Sequence, residues 1–450
     1  MRQSAGIPRT RSDRCAAKSE NDMQDAMRSG AKKVALRILP LLCLGYVAAY
    51  LDRINVSFAA LQLNEDLNLS PAAYGLGAGL FFVGYVVFEV PSNLILRRVG
   101  AKLWISRIMI SWGVISALTA LVQSEATFYL CRFLLGVAEA GFLPGAILYV
   151  NQWLPPKDRA RALSVLAAST ALAGLIGSPL SMALLGLDGM GGLRGWQWLF
   201  VLEGIPAVVL GVLVLFALPD TPMAAKWLTD GEKSALQNAL DREAGHLERR
   251  RFHLLGRSLF WKVGLLGVVY FCMVLGMYGV AFWMPQILQN TLDGTSLSLL
   301  GWYNAIPFLA AVVGMLAIGW SSDRFGERKL HVIGALVLAS VGCVLAGKAT
   351  GLAGCLVALS LASIGLWSVI GPFWAFTTAR MGGLAAAVGV ALINSIGNTG
   401  GFFGPYVMGW LKGATADYRV GLDVLALVLV FGAVSMGLVR TGRSAETIAD

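Results

Sequence analysis

From about residue 35 onward, long apolar stretches alternate with short polar breaks. Twelve such stretches fall at about 35–62, 72–96, 101–123, 126–153, 160–187, 196–218, 258–290, 298–321, 329–348, 351–377, 381–411 and 420–440. Each is about 20 residues or longer, the length a helix needs to cross the hydrocarbon core of a bilayer. Glycines and prolines inside them (Gly75, Pro91, Pro144, Pro179, Pro372, Pro405) would break soluble helices but are tolerated in membrane spans, where neighbouring helices re-satisfy the freed backbone groups. No strand is required. The pattern predicts an all-α membrane protein of twelve transmembrane helices, and an even number of crossings puts both termini on one side.

The polar breaks divide the chain. Residues 1–34 read as a disordered tail, rich in Arg at its start and lacking the apolar centre of a cleaved signal peptide. A six-helix half covers 35–218, a charged linker 219–257, a second six-helix half 258–441, and a short tail 442–450. The linker carries Asp220, Glu232, Lys233, Asp241 and the run Arg249, Arg250, Arg251. Lys and Arg accumulate in alternate breaks (Lys32, Lys33 and Arg37; Arg97, Arg98 and Lys102; Lys157, Arg159 and Arg161), which marks the cytoplasmic side and places both termini there.

Composition agrees. With 56% apolar and 14% charged residues, the chain departs from the balance of an ordinary water-soluble enzyme. The net charge of +10 is then an orientation signal facing anionic lipid, and no argument for nucleic acid. The six cysteines form no CxxC pair and read as small apolar packing residues, so neither a disulfide framework nor a metal site is expected. Gly342 to Lys348 nearly spells a phosphate-binding loop, but Ala349 stands where Ser or Thr is needed and the stretch ends an apolar span. His246, His253 and His331 lie in or beside loops, so proton chemistry at depth has to rest on carboxylates. No cofactor is expected.

Charge inside the apolar stretches is the functional signal. A charged side chain at the bilayer centre costs at least ~2.5 kcal/mol, so Asp52, Arg53, Glu89, Arg132, Glu139 and Glu203 have to face protein or water. At 1.5 Å per residue, Asp52 lies about 22 Å up the first span from Arg37 and Glu139 about 20 Å in from the outer end of the fourth, both near the midplane. Arg132 is two turns from Glu139 on about the same face. Two acids and two arginines sharing one cavity suit proton-coupled anion uptake: a desolvated carboxylate carries a proton, and a guanidinium stays charged and grips a carboxylate through parallel N–H bonds. Asp52 and Glu139 are therefore the expected proton carriers and Arg53 the principal anion ligand or switch partner, with Arg132 pairing Glu139 or Asp52 in one of the gate states. A static charge network that only packs the bundle is the competing reading, and the stronger one for Glu89 and Glu203.

Sequence motifs add a family. Gly319, Asp323, Arg324, Gly326, Glu327, Arg328 and Lys329 after the eighth span resemble the cytoplasmic loop signature of the major facilitator superfamily; the copy after the second span has Arg97 where that pattern puts the acid. The blocks around Tyr50, Asp52, Arg53 and Asn55, Gly79 to Tyr85, Glu89 to Asn93, Arg132 to Glu139, Trp196 to Glu203, and Asn394 to Asn398 resemble its anion:cation symporter family. The resemblance implies the major facilitator fold and a gate at Asp323, Arg324, Gly326 and Arg328. Tyr50 and Tyr85 become hydroxyl donors to a bound anion, and Asn394 and Asn398 the contribution of the second half, with Tyr278, Trp283 and Trp374 shaping the other wall. It implies a bacterial inner-membrane transporter, acting as a monomer without cofactor, that imports a small organic anion (sugar acid, dicarboxylate or aromatic acid) with protons. A proton-independent facilitator or exchanger on the same fold is the alternative.

Overall fold

The computed structural model describes residues 11–249, 257–292, 296–379 and 383–439. His253 and the arginines at 250 and 251 lie outside the described residues. Sixteen α-helices run through the described chain: α1 Arg11–Asp66, α2 Pro71–Val99, α3 Ala101–Leu118, α4 Glu125–Glu139, α5 Phe142–Trp153, α6 Pro156–Leu185, α7 Gly195–Ala217, α8 Asp230–Arg249, α9 Arg257–Asn290, α10 Leu297–Phe325, α11 Lys329–Lys348, α12 Leu352–Ser368, α13 Ile370–Ala379, α14 Gly383–Asn398, α15 Gly400–Thr415 and α16 Arg419–Leu438. Eleven helical segments among the described residues are long and apolar enough to cross a bilayer, counting α4 with α5 and α12 with α13 as single spans. The remaining stretch, α14 and α15, is two 16-residue helices meeting at Thr399 and completes the twelve.

Helix ends follow local chemistry. Ser70 caps α2 by accepting from the Ala73 N–H at 3.1 Å, and Ser124 with Thr127 forms a reciprocal capping box at the start of α4. Gly326 stops α10 in the left-handed region, at φ 63°. The fourth span breaks directly after Glu139, because Gly141 takes φ 91° there; the Ala140 carbonyl freed by the break accepts from Ser92 Oγ at 2.6 Å.

Helices α1–α7 form one bundle and α9–α16 the other, with α3 packed on α7, α11 on α12 and α16, and α9 on α14, α15 and α16. The bundles meet through α2 against α15 and α6 against α10. Both seams lie in the half of the molecule remote from the chain termini. There Tyr74 donates to the Phe282 carbonyl at 2.9 Å and Asn304 Nδ2 to Ser178 Oγ at 2.8 Å. Backbones come close enough that a Cβ on Gly79 would lie 2.8 Å from the Phe402 carbonyl oxygen.

Among the described residues the termini side is helical where a tail and a charged linker are expected. Helix α1 begins at Arg11 rather than near residue 35, and α8 docks on it: Ser29 Oγ and Lys33 Nζ bond Glu232 at 2.7 and 2.8 Å. Burial pulls the Glu232 carboxyl upward, but the hydrogen bonds from Lys33, Ser29 and the Thr229 N–H outweigh it and hold it down to about 2. Upstream of α8, Trp227 stacks on Trp153 and lies under the Arg37 guanidinium, 5.2 Å from ring centre to charge. Polar sequence is ordered here because it has a partner surface.

Candidate substrate and proton site

Arg53 and Glu139 meet at the centre of the molecule. Arg53 is on α1, and Glu139 is the last residue of α4, fixed in place by the break at Gly141. The Arg53 guanidinium donates through Nη2 to Glu139 Oε1 in a direct ion pair and through Nη1 to the Tyr278 hydroxyl of α9 at 2.8 Å. One side chain thus joins the two bundles. It lies 5.1 Å from the Phe81 ring centre and 5.4 Å from that of Tyr85, so two aromatic rings flank the charge. The Arg53 side chain keeps 11% exposure while Glu139 is buried. Arg53 Nε and Glu139 Oε2 have no hydrogen-bond partner, so the pair holds unused donor and acceptor capacity.

Asp52 is held elsewhere. Adjacent residues on a helix point about 100° apart, so Asp52 turns away from the Arg53 side and into the first bundle. Its oxygens accept from Trp112 Nε1 at 3.1 Å, Ser116 Oγ at 2.5 Å and Asn55 Nδ2 at 3.4 Å. These are neutral donors. Among the described residues no arginine pairs with it, and Arg132 pairs with neither acid: it is fully buried, donates from Nη2 to the Arg53 carbonyl at 3.4 Å and shares the Phe81 ring at 5.4 Å. Its Nε and Nη1 have no partner.

The second bundle brings neutral groups. Asn394 Nδ2 donates to Glu89 Oε1 at 2.8 Å, a link between bundles on the termini side of the Arg53 pair. Tyr85 is buried beside Arg53. The buried Tyr50 hydroxyl lies toward Trp367 without a well-formed hydrogen bond. Asn398 is half-buried with no hydrogen bond among the described residues. Tyr270, Phe373 and Trp374 form a cluster with ring centres 5.0–5.4 Å apart, while Trp283 turns away to donate to the Pro405 carbonyl. Sequence reasoning placed Tyr278 only as a wall residue and missed Trp112 and Ser116, whose i, i+4 spacing on the third span was the available signal. It also left Glu89 unconnected to Asn394.

A profile of the Major Facilitator Superfamily matches residues 42–441. The chain belongs to the major facilitator superfamily. Among its relatives is an Agrobacterium vitis protein provisionally named a tartrate transporter, 46% identical over 411 residues, covering 91% of this chain and 94% of the relative. The inner membrane transport protein RhmT of Escherichia coli is 37% identical over 417 residues, covering 92% and 96%. The fold also matches the inward-open xylose transporter XylE of E. coli, with TM-score 0.73 at 15% identity over 91% of this chain and 98% of that one, and a bacterial homologue of the lysosomal transporter Spinster, with TM-score 0.72 at 20% identity over 89% and 96%. The molecule is a multi-pass membrane transporter and not an enzyme.

Within this facilitator the loop signature is disengaged from the opposite bundle. Among the described residues Asp323 pairs only with Arg328 of its own loop, at 3.6 Å, and Arg324 lies 5.2 Å from the Trp320 ring centre. Gly326 supplies the left-handed turn between them. Arg97 and Arg98 of the first bundle are exposed. Among the described residues the bundles are thus joined at the far end, bridged at the centre by Arg53, and not clamped at this loop near the termini.

Proposed function

We propose that this facilitator imports a small organic carboxylate together with protons by alternating access. The observation that carries the reading is the Arg53–Glu139 pair: a cation and an acid, enclosed at mid-depth, with Arg53 also bonded to the other bundle. While Glu139 is ionised it occupies the guanidinium. When Glu139 takes a proton, Arg53 is released and two parallel N–H groups become available to the carboxylate of an incoming anion. Proton and anion then arrive together, because a buried guanidinium left unpaired, or a buried carboxylate left charged, costs several kcal/mol.

Asp52 is the second carrier in this reading. It is buried among three neutral donors with no cation bonded to it among the described residues, and it exchanges its proton when α1 moves against α3. Tyr50, Tyr85, Asn394 and Asn398 supply neutral hydrogen bonds to the anion, with Arg132 as the reserve cation. Asp323, Arg324, Gly326 and Arg328 close the gate on the termini side, which the Lys and Arg distribution assigns to the cytoplasm of a bacterial inner membrane. The relative named for tartrate makes a hydroxy-dicarboxylate the first compound to test; the Tyr270, Phe373 and Trp374 cluster keeps aromatic acids in the panel.

The test is uptake into proteoliposomes of labelled tartrate, sugar acids and aromatic acids, with and without an inward proton gradient. The proposal expects the transported compound to accumulate above its external concentration only with the gradient. Uptake at the same rate with or without the gradient, stopping at the external concentration, would instead assign a facilitator or exchanger.

A further inference from the structure

Arg107 is a charge that the transport site does not use. It sits on α3, whose lipid-facing stripe is marked by Leu103, Val114 and Leu118, exposed at 51, 43 and 48%. At 100° per residue Arg107 falls within about 40° of each of them, in the middle of that stripe. The opposite face of α3, carrying Ile105, Ile108 and Trp112, is buried. Arg107 is half-buried, its Nε has no partner, and it makes neither hydrogen bond nor ion pair among the described residues.

What it does contact fixes its position. The guanidinium lies 3.9 Å from the ring centre of Trp104, one turn nearer the start of α3. Trp104 is itself anchored, donating from Nε1 to Ser92 Oγ of α2 at 2.9 Å, and Ser92 is held by the Ala140 carbonyl. Helical side chains lean toward the helix start, so the charge lies about 5 Å into the span although its Cα is about 9 Å in. Tryptophan rings settle at the membrane interface, and Trp104 beside the charge marks this end of α3 as close to the headgroups. Stacking covers one face of the guanidinium but occupies none of its N–H edges. Exposed Arg97 and Arg98 lie in the turn just before α3 and Lys102 in its first turn, so positive charge continues at this end of the helix.

We propose that Arg107, on its Trp104 platform, binds the phosphate of an anionic glycerophospholipid in the leaflet on the termini side. The platform holds the guanidinium edge-on to the bilayer, so two N–H groups meet phosphate oxygens, while Arg98 and Lys102 contribute long-range attraction. Charge complementarity selects an anionic lipid over a zwitterionic one, whose own cation is repelled by this edge.

Native mass spectrometry of the full-length protein titrated with phosphatidylglycerol, and separately with phosphatidylcholine, tests this. The wild type is expected to retain phosphatidylglycerol in preference to phosphatidylcholine, and Arg107→Ala to weaken that retention by about tenfold, the order for loss of a charge-assisted hydrogen bond. If Arg107→Ala does not fold, Arg107→Lys keeps the charge without the fork and stack, and a severalfold loss is expected from it. Equal retention by wild type and the folded variant overturns the proposal, as does equal retention of the two lipids. Competition by millimolar inorganic phosphate that removes the lipid would also overturn it, by assigning a free-ion site.

Discussion

The two bundles share one fold yet divide the chemistry unequally. Among the described residues of the spans, every buried charged side chain (Asp52, Glu89, Arg132, Glu139 and Glu203) belongs to the first bundle. The buried polar groups of the second are neutral: Asn304, Ser322, Ser340, Ser363, Ser368, Thr377 and Ser435. Charge is kept where helices α1, α2, α4 and α7 can pair or hydrogen-bond it. The second bundle answers with Tyr278, Asn394 and an aromatic wall. The buried charge thus sits in one bundle, and the other meets it with neutral side chains, Tyr278 accepting from Arg53 and Asn394 donating to Glu89.

Substitutions break this asymmetry to different degrees. The largest effect belongs to Arg53→Ala, which removes the anion ligand and leaves Glu139 buried without its cation. Binding of the transported anion, followed by isothermal titration calorimetry, is expected to weaken by at least ~100-fold, since breaking a buried pair costs ~3–5 kcal/mol. Unaltered binding would remove Arg53 from the site. Next comes Asp52, where two variants separate proton carriage from packing. Asp52→Asn preserves shape and should retain the melting temperature while losing accumulation driven by a proton gradient; Asp52→Ala strands the Ser116 and Trp112 donors and should melt several degrees lower. Gradient-driven accumulation by Asp52→Asn at the wild-type level would make Asp52 a structural acid.

Tyr278→Phe sharpens the comparison from the neutral side. It deletes the one bond from Arg53 to the second bundle, keeps the ring against Phe82 at 4.4 Å, and is expected to raise KM about fivefold with little change in melting temperature. The smallest effect lies outside the membrane. Because the folded-state carboxyl of Glu232 is depressed from 4.5 to about 2, its contribution to α8 docking is complete above pH ~5 and is lost as pH falls through about 2. Limited proteolysis of the linker should therefore accelerate between pH 5 and pH 2 in the wild type, and Glu232→Gln should be cut faster at neutral pH with a flatter pH response.

The twelve spans were legible because length and apolarity are one-dimensional properties of the chain. Breaks inside spans were less so. Nothing local distinguishes Gly141, which takes a left-handed φ after Glu139, from the many glycines that stay helical, and the division at Thr399 follows from packing of α14 and α15 on α9. The intramembrane charges were visible as costs, but their pairing was not: depth and face put Arg132 with Glu139 or Asp52, whereas packing gives Glu139 to Arg53. The expectation that Asp52 shares their cavity overlooked the 100° step between neighbours on a helix; which donors would receive it depended on where α3 packs. Arg107 escaped notice because a charge near a basic loop reads as topology until its neighbours show it facing lipid.

In the proposed mechanism, protonation of Glu139 releases Arg53 for the anion. Glu139→Gln fixes the side chain in a neutral form, and one proteoliposome preparation can be read twice, by counterflow against internal substrate and by uptake driven by an inward proton gradient. The account predicts that counterflow persists near the wild-type rate while gradient-driven accumulation disappears. Accumulation to the wild-type level in Glu139→Gln would contradict it.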